Sequence, residues 1–432
     1  MNENRFLVHS EKRFLELAAL LAVLTMALLA VVTPASAEQY NILYSFGGVP
    51  QDGQFPRASL IFDTAGNLYG TTIYGGPSAF GTVFRLMPRT SGGWSEEVLY
   101  NFDPRGEDGY SPFGSLIFDA RGNLYGAACC GSIGGGGTVF ELMPKTAGRW
   151  TEKVLHSFNT GPDSGYDLYS GVISDSSGNL YGAASRGGTL GYGAIYELTR
   201  TDAGTWPAKA LHSFGGGTDG RYPFSAMIFD AAGNLYGTTY QGGTGACLDN
   251  SGILVGCGAV FELTPEAGGG WSGKLLHSFN NDGTEGINPY GGLTFDARGN
   301  LYGTTYFGGP DNLGTVFELM PQPSGLWTGK TLYSFNDNGM DGANPTANLI
   351  FDGIGNLYGT TDLGGPYGYG TVFELSPLAG GGWTELQLHS FGNGTDGSQP
   401  LGGMVFDAAG NLYGATDTGG AYGYGTVYEI TP

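Results

Sequence analysis

Charge is scarce in this chain. Asp, Glu, Lys and Arg make up 13% of its 432 residues, about half of the ~25% usual in soluble proteins. Basic residues are scarcer still, with 18 Lys and Arg against 39 Asp and Glu, a formal net charge of -21. Binding to a phosphate backbone needs clustered Lys and Arg, so nucleic acid is excluded as a partner. Apolar runs are short everywhere except Leu17 to Val32, so no membrane span is expected in the mature chain. Cys is limited to four residues and His to five. Ser-His-Asp sets, HExxH, P-loop and EF-hand spacings are all missing.

What is abundant is glycine, with 81 residues, well above the ~7% of average usage. No strict triplet period accompanies it, which excludes collagen. The 41% hydrophobic and 13% aromatic content excludes a disordered acidic chain, which would lack apolar surface to bury.

Residues 1–37 read as a secretory signal peptide. Arg5, Lys12 and Arg13 give a basic start, Leu17 to Val32 an apolar core, and Ala35-Ser36-Ala37 a small-residue cleavage site. Cleavage is expected after Ala37, with an uncleaved anchor as the alternative. The mature chain is then secreted or periplasmic.

Residues 38–432 are filled by one repeat. GNLYG occurs seven times, with its Asn at 67, 123, 179, 234, 300, 356 and 411. The spacing is 55 or 56 residues except for one gap of 66, which carries an insertion around Cys247 to Cys257. Each unit shows four short strand-like runs bounded by turn residues, with no helical period. Runs such as Leu60-Ile61-Phe62 are apolar at consecutive positions, so both sheet faces are buried. Blades stacked around an axis require that, and the expected fold is all-β, a single seven-bladed propeller. The mature chain opens with Tyr40 to Phe46, which matches a fourth strand. It closes with Gly425 to Pro432, which matches a third. The N-terminal strand is therefore expected to complete the last blade.

GNLYG, followed by TT..GG....GTVFEL and W....LHSF, resembles the GloVer tandem repeat of secreted bacterial proteins, the "choice-of-anchor" family. The resemblance covers residues 38–432. It implies export and a propeller-like array, and it implies no activity. The family's variable C-terminal sorting signals are not expected here, where the sequence stops at Ile430-Thr431-Pro432.

Candidates for chemistry are read against this repeat. His156, His212, His277 and His389 share one position with Tyr44, Tyr100 and Tyr333. The two ring types titrate about 3.5 units apart, so a structural role is expected rather than a catalytic one. The six Trp sit one per unit and are expected to pack. Asp63, Asp119, Asp175, Asp230, Asp296, Asp352 and Asp407 precede GN and are expected to cap a turn. Cys247 and Cys257 are expected to form a disulfide in an exported protein. Adjacent Cys129 and Cys130 are either free thiols or a vicinal disulfide. A zinc site is not expected, because the two Cys pairs lie in non-adjacent units with no His nearby.

A second acid series lies in Asp-Gly-x-x-Pro loops: Asp52, Asp108, Asp219, Glu285, Asp341 and Asp396. In the third unit Asp163 and Asp167 flank Ser164 there, and Leu168 replaces the Pro. These loops share a face with the Gly-rich loops after the second strand, whose tips differ from copy to copy. The six acids, with Arg186 as a break in the symmetry, are the candidate ligand site. It would take Ca²⁺, as the one conceivable cofactor, or a cationic ligand; turn chemistry is the competing reading. No catalytic residue is singled out. The expected function is a non-catalytic binding or scaffold propeller with an extracellular ligand, glycan or protein. The alternative is a secreted propeller enzyme, a hydrolase or lyase acting on glycans or lactones.

Overall fold

The structure is a computed structural model that describes residues 39–432 except 104, 106, 107, 132, 133, 162–164 and 250. The signal-peptide reading of residues 1–37 lies outside the described residues, as do Asp163 and Ser164. Among the described residues there is no α-helix, and no helix is long and apolar enough to cross a membrane.

The chain forms a seven-bladed β-propeller of antiparallel sheets. The first blade is Ile61–Phe62, Leu68–Thr72, Thr82–Pro88 and Trp94–Asn101. The second is Ile117–Phe118, Leu124–Ala128, Gly135–Pro144 and Trp150–Asn159. The seventh takes Val405–Phe406, Leu412–Thr416 and Thr426–Thr431 from the C-terminal end and Gln39–Ser45 as its fourth strand. The closing pair is antiparallel, from Gln39↔Thr431 to Ser45↔Thr426. Closure gives Thr426–Thr431 a partner on both sides and leaves Gln39–Ser45 as the outer strand of that blade.

The repeat motif explains its own turn. Asp63 Oδ1 accepts the amides of Ala65 and Asn67, each at 2.9 Å. Its Oδ2 accepts Asn67 Nδ2 at 2.7 Å and the Tyr69 hydroxyl at 3.0 Å. The same aspartate–asparagine–tyrosine set recurs in the other six blades. The first Gly of GNLYG turns the chain at positive φ, +83° at Gly122. The last has another cause: a Cβ at Gly126 would meet the Phe140 ring at 2.5 Å and Leu116 at 2.8 Å.

The core lies between blades rather than within them. Phe46, Phe102, Phe158, Phe214, Phe279, Phe335 and Phe391, the last residue of each fourth-strand motif, are all fully buried. Each meets a third-strand ring of the next blade, as in Phe46–Phe84 at 5.0 Å and Phe391–Tyr428 at 5.1 Å. Such pairs add about 0.5–1.5 kcal/mol beyond the area they bury. Trp94, Trp150, Trp271 and Trp327 stand edge-on to the GNLYG tyrosine of the preceding blade. The tryptophans therefore pack, as expected.

Candidate functional site

The face expected to carry a ligand is built from two loops per blade. The Asp-Gly-x-x-Pro loop pairs with the Gly-rich loop after the second strand, as in Gly53↔Gly75 and Gly397↔Gly419. Both disulfides lie in these Gly-rich loops: Cys247 is bonded to Cys257, and Cys129 to Cys130. The vicinal pair is thus a disulfide.

The carboxylates of the acid series point away from the axis, to the fourth strand at the opposite edge of the sheet. Asp52 accepts the Tyr44 hydroxyl at 3.0 Å and the Gly47 amide at 2.8 Å. Asp108 accepts Tyr100 at 2.7 Å, and Asp341 accepts Tyr333 at 2.8 Å. His212 Nε2 stands 3.1 Å from Asp219, His389 Nε2 stands 2.8 Å from Asp396, and His277 bonds Glu285. His156, whose blade is followed by an entry loop with residues 162–164 outside the described residues, places Nδ1 3.0 Å from the Trp206 carbonyl. Burial holds the His156 imidazolium below its ordinary range, partly offset by that carbonyl. Among the described residues no three His, Cys, Asp or Glu side chains converge as a metal site. Arg186 is exposed and lies 3.5 Å from Asp167.

The same loops build a different concavity on the axis. The residue before each Pro, or before Leu168 in the third blade, has a left-handed backbone. Phe55, Ser111, Asp167, Tyr222, Asn288, Asn344 and Gln399 have φ between 54° and 60°. For a non-Gly residue this conformation costs about 1–2 kcal/mol. Hydrogen bonds on both sides hold it. The Phe55 amide donates to Tyr424 of the preceding blade at 2.9 Å, and its carbonyl accepts the Ile73 amide at 3.2 Å. Two residues later the chain reaches the axis at Arg57, Phe113, Tyr169, Phe224, Tyr290, Thr346 and Leu401. Each lies ten positions before a GNLYG asparagine.

These residues line a cavity of about 620 Å³, joined by Tyr240, Tyr306 and Asp362 from the ends of the second strands. Its walls are unlike each other. Blades two to five present an aromatic arc: Phe113–Tyr169 at 5.0 Å, Tyr169–Phe224 at 5.8 Å, Phe224–Tyr290 stacked at 5.3 Å, and Tyr290–Tyr306 at 6.2 Å. Blades six, seven and one present charge. Arg57 makes a two-pronged pair with Asp417, Nε–Oδ1 at 2.8 Å and Nη2–Oδ2 at 3.0 Å. Arg57 also stands 5.6 Å from the Phe113 ring, so the charged wall joins the arc by a cation–π contact. Asp362 accepts the Tyr306 hydroxyl at 3.2 Å and Gln399 Nε2 at 3.3 Å. Burial raises the Asp362 carboxyl above its ordinary range, against the pull of those two hydrogen bonds. Burial, with Asp362 beside it, pushes the Tyr306 hydroxyl up to about 12.

The Gloeobacter/Verrucomicrobia repeat matches residues 29–254 and again residues 247–432. The chain belongs to that repeat family. Its propeller is similar to two solved structures among others. One is a candidate 6-phosphogluconolactonase from Bacteroides uniformis, with TM-score 0.51, 16% identity, and coverage of 81% of this chain and 88% of that one. The other is an ancestral GH74 enzyme, with TM-score 0.54, 13% identity, and 92% of this chain covered against 51% of that one. At these identities the likeness is one of fold. No curated protein matches the sequence.

The axial ring is what the sequence reading missed. The signal was there: position ten before each repeat asparagine reads Arg, Phe, Tyr, Phe, Tyr, Thr, Leu. It lies close to an Asp and a Pro that hardly vary, and their regularity masks its variation. Asp362 and Asp417 belong to the loop tips that differ from copy to copy.

Proposed function

We propose that this protein is an exported, non-catalytic binding propeller whose ligand sits in the axial cavity. The carrying observation is the broken symmetry there. Seven units agree in their turns and interblade rings, yet their axial residues divide into an aromatic wall and a charged one. A closed scaffold with differing residues at one mouth is how rigid frames acquire binding. Export is supported by the basic, apolar and small-residue segments of residues 1–37 and by the two disulfides. The entry-loop acids enter this reading as architecture, each bonded to its fourth-strand ring. A glycan-array and small-ligand screen on residues 38–432 tests the proposal, repeated with Phe224→Ala/Tyr290→Ala. Loss of the captured ligand with an unchanged melting temperature is the expected result. Retained binding in that variant would remove the cavity from consideration.

A second reading, hydrolysis of a lactone or glycan, is favoured by one feature. Asp362 and Asp417 bring two carboxylates to the same wall. Asp417 is, however, fully engaged by Arg57. Turnover of lactone or glycan substrates that is lost in Asp362→Asn would favour this reading.

A further inference from the structure

The charged wall of the axial cavity is not balanced. Arg57 and Asp417 neutralise each other through two hydrogen bonds. Asp362 faces the same cavity, and among the described residues no Lys, Arg or His stands in ion-pair contact with it; Arg57 acts on it only through space, against the repulsion of Asp417. Its hydrogen-bond donors, Tyr306 and Gln399, are neutral and stand at 3.2 and 3.3 Å. A carboxylate drawn out of water without a counter-charge in contact is costly. The same cavity is lined by the rings of Tyr240, Tyr290, Tyr306 and Phe224, whose π faces carry partial negative charge.

We propose that the axial cavity binds a small organic ammonium ion, with Asp362 as its counter-ion and the aromatic arc as its cage. The inference rests on the axial-cavity reading above and names the ligand class. The lone carboxylate and the aromatic arc share one sign of preference. The lone carboxylate attracts a cation, the rings attract a cation through their faces, and the one native cation is already spent. A neutral sugar would use the rings and hydroxyl partners but would leave Asp362 without a counter-charge. An anion would face Asp362 directly with Arg57 occupied. The cavity volume of about 620 Å³ suits a molecule well beyond the size of a bare metal ion. The protein's charge of -21 draws cations toward any opening on its surface.

The test uses titration calorimetry of residues 38–432 with choline and with its neutral isostere 3,3-dimethylbutan-1-ol. Choline should bind at least about tenfold more tightly, since charge adds cation–π and ion-pair attraction. Asp362→Asn should lower choline affinity by about tenfold or more and leave the isostere unchanged. Tyr290→Ala should weaken both. Circular-dichroism melts of both variants confirm that the fold is kept. Equal binding of choline and isostere, or an Asp362→Asn variant that binds choline as well as the parent, overturns the proposal. If choline fails but a neutral glycan binds and is lost in Tyr290→Ala, the ammonium inference falls and the cavity reading stands. If neither variant changes the binding of any captured ligand, both fall.

Discussion

One residue position shows how closely the blades answer one another. The fourth-strand ring is Tyr at 44, 100 and 333 and His at 156, 212, 277 and 389. Two residues after the tryptophan of the following blade, the tyrosines face Glu96, Glu152 and Glu385. His212 and His277 face Gly273 and Gly329, Ala208 holds the same position in the blade after His156, and His389 stacks on Tyr40 at 3.8 Å. A Cβ at Gly329 would stand 3.0 Å from His277, so the imidazole leans where a side chain would be. Under a tyrosine the glutamate lies beside the Asp of the entry loop, and its Oε1 has no partner among the described residues. Burial first, and the neighbouring aspartate second, push Glu96 and Glu152 up to about 8 and Glu385 up to about 7.

Below those values these glutamates hold their protons in the folded state, whereas in the unfolded chain they release them near pH 4.3. Between those values the unfolded state binds fewer protons, so stability is lost as pH rises. The melting temperature should therefore fall from pH 5 to pH 8.5. The triple variant Glu96→Gln/Glu152→Gln/Glu385→Gln should flatten that slope in a fluorimetric melt. The turn aspartates work in the other direction. Burial would raise Asp63, Asp230 and Asp407, but hydrogen bonds from the asparagine, the tyrosine and the loop amides hold them below their ordinary range. Their contribution is present at neutral pH and lost as pH falls through the native value. Asp230→Ala should cost about 2 kcal/mol, the worth of hydrogen bonds to a charged acceptor, read from urea denaturation at pH 7.

At the scale of elements, the entry loop does two jobs with one geometry. Its left-handed residue ties one blade to the next, and the Pro after it delivers the axial side chain. Gly at Gln399 would relax the backbone but loosen the unfolded chain as well. The insertion in the fourth blade is closed by Cys247–Cys257. In the chain-entropy picture a loop of about eleven residues gives about 3 kcal/mol. The double variant Cys247→Ser/Cys257→Ser should therefore melt several degrees lower, with the other blades unchanged in hydrogen exchange. Strand number, turns and closure were legible because they repeat: a seven-fold GNLYG and a split phase leave few topologies. The aim of a side chain was not legible. Asp52 and Arg57 lie five residues apart in one loop, yet one faces the fourth strand and the other the axis. A run without strand alternation gives no parity by which to tell them apart.

For the whole molecule, the acidic surface and the ring closure set the behaviour. Attraction of an ammonium ligand by a charge of -21 is screened over a Debye length of about 10 Å at 0.1 M salt. Choline association should slow as NaCl rises from 20 to 300 mM, while dissociation changes little, in stopped-flow tyrosine fluorescence. Deletion of residues 39–45 should strip the partner from Thr426–Thr431 and expose its edge. Melting should drop by more than ten degrees, or the variant should pair with a second copy, as size-exclusion chromatography would show.

The register of the closing pair has a mechanical consequence. Gln39 lies opposite Thr431, at the end of the ladder, and the two strands run antiparallel from there. Tension between these two points would open the ladder one rung at a time, like a zip pulled from its tab. A propeller of this design makes a poor link in a chain under load.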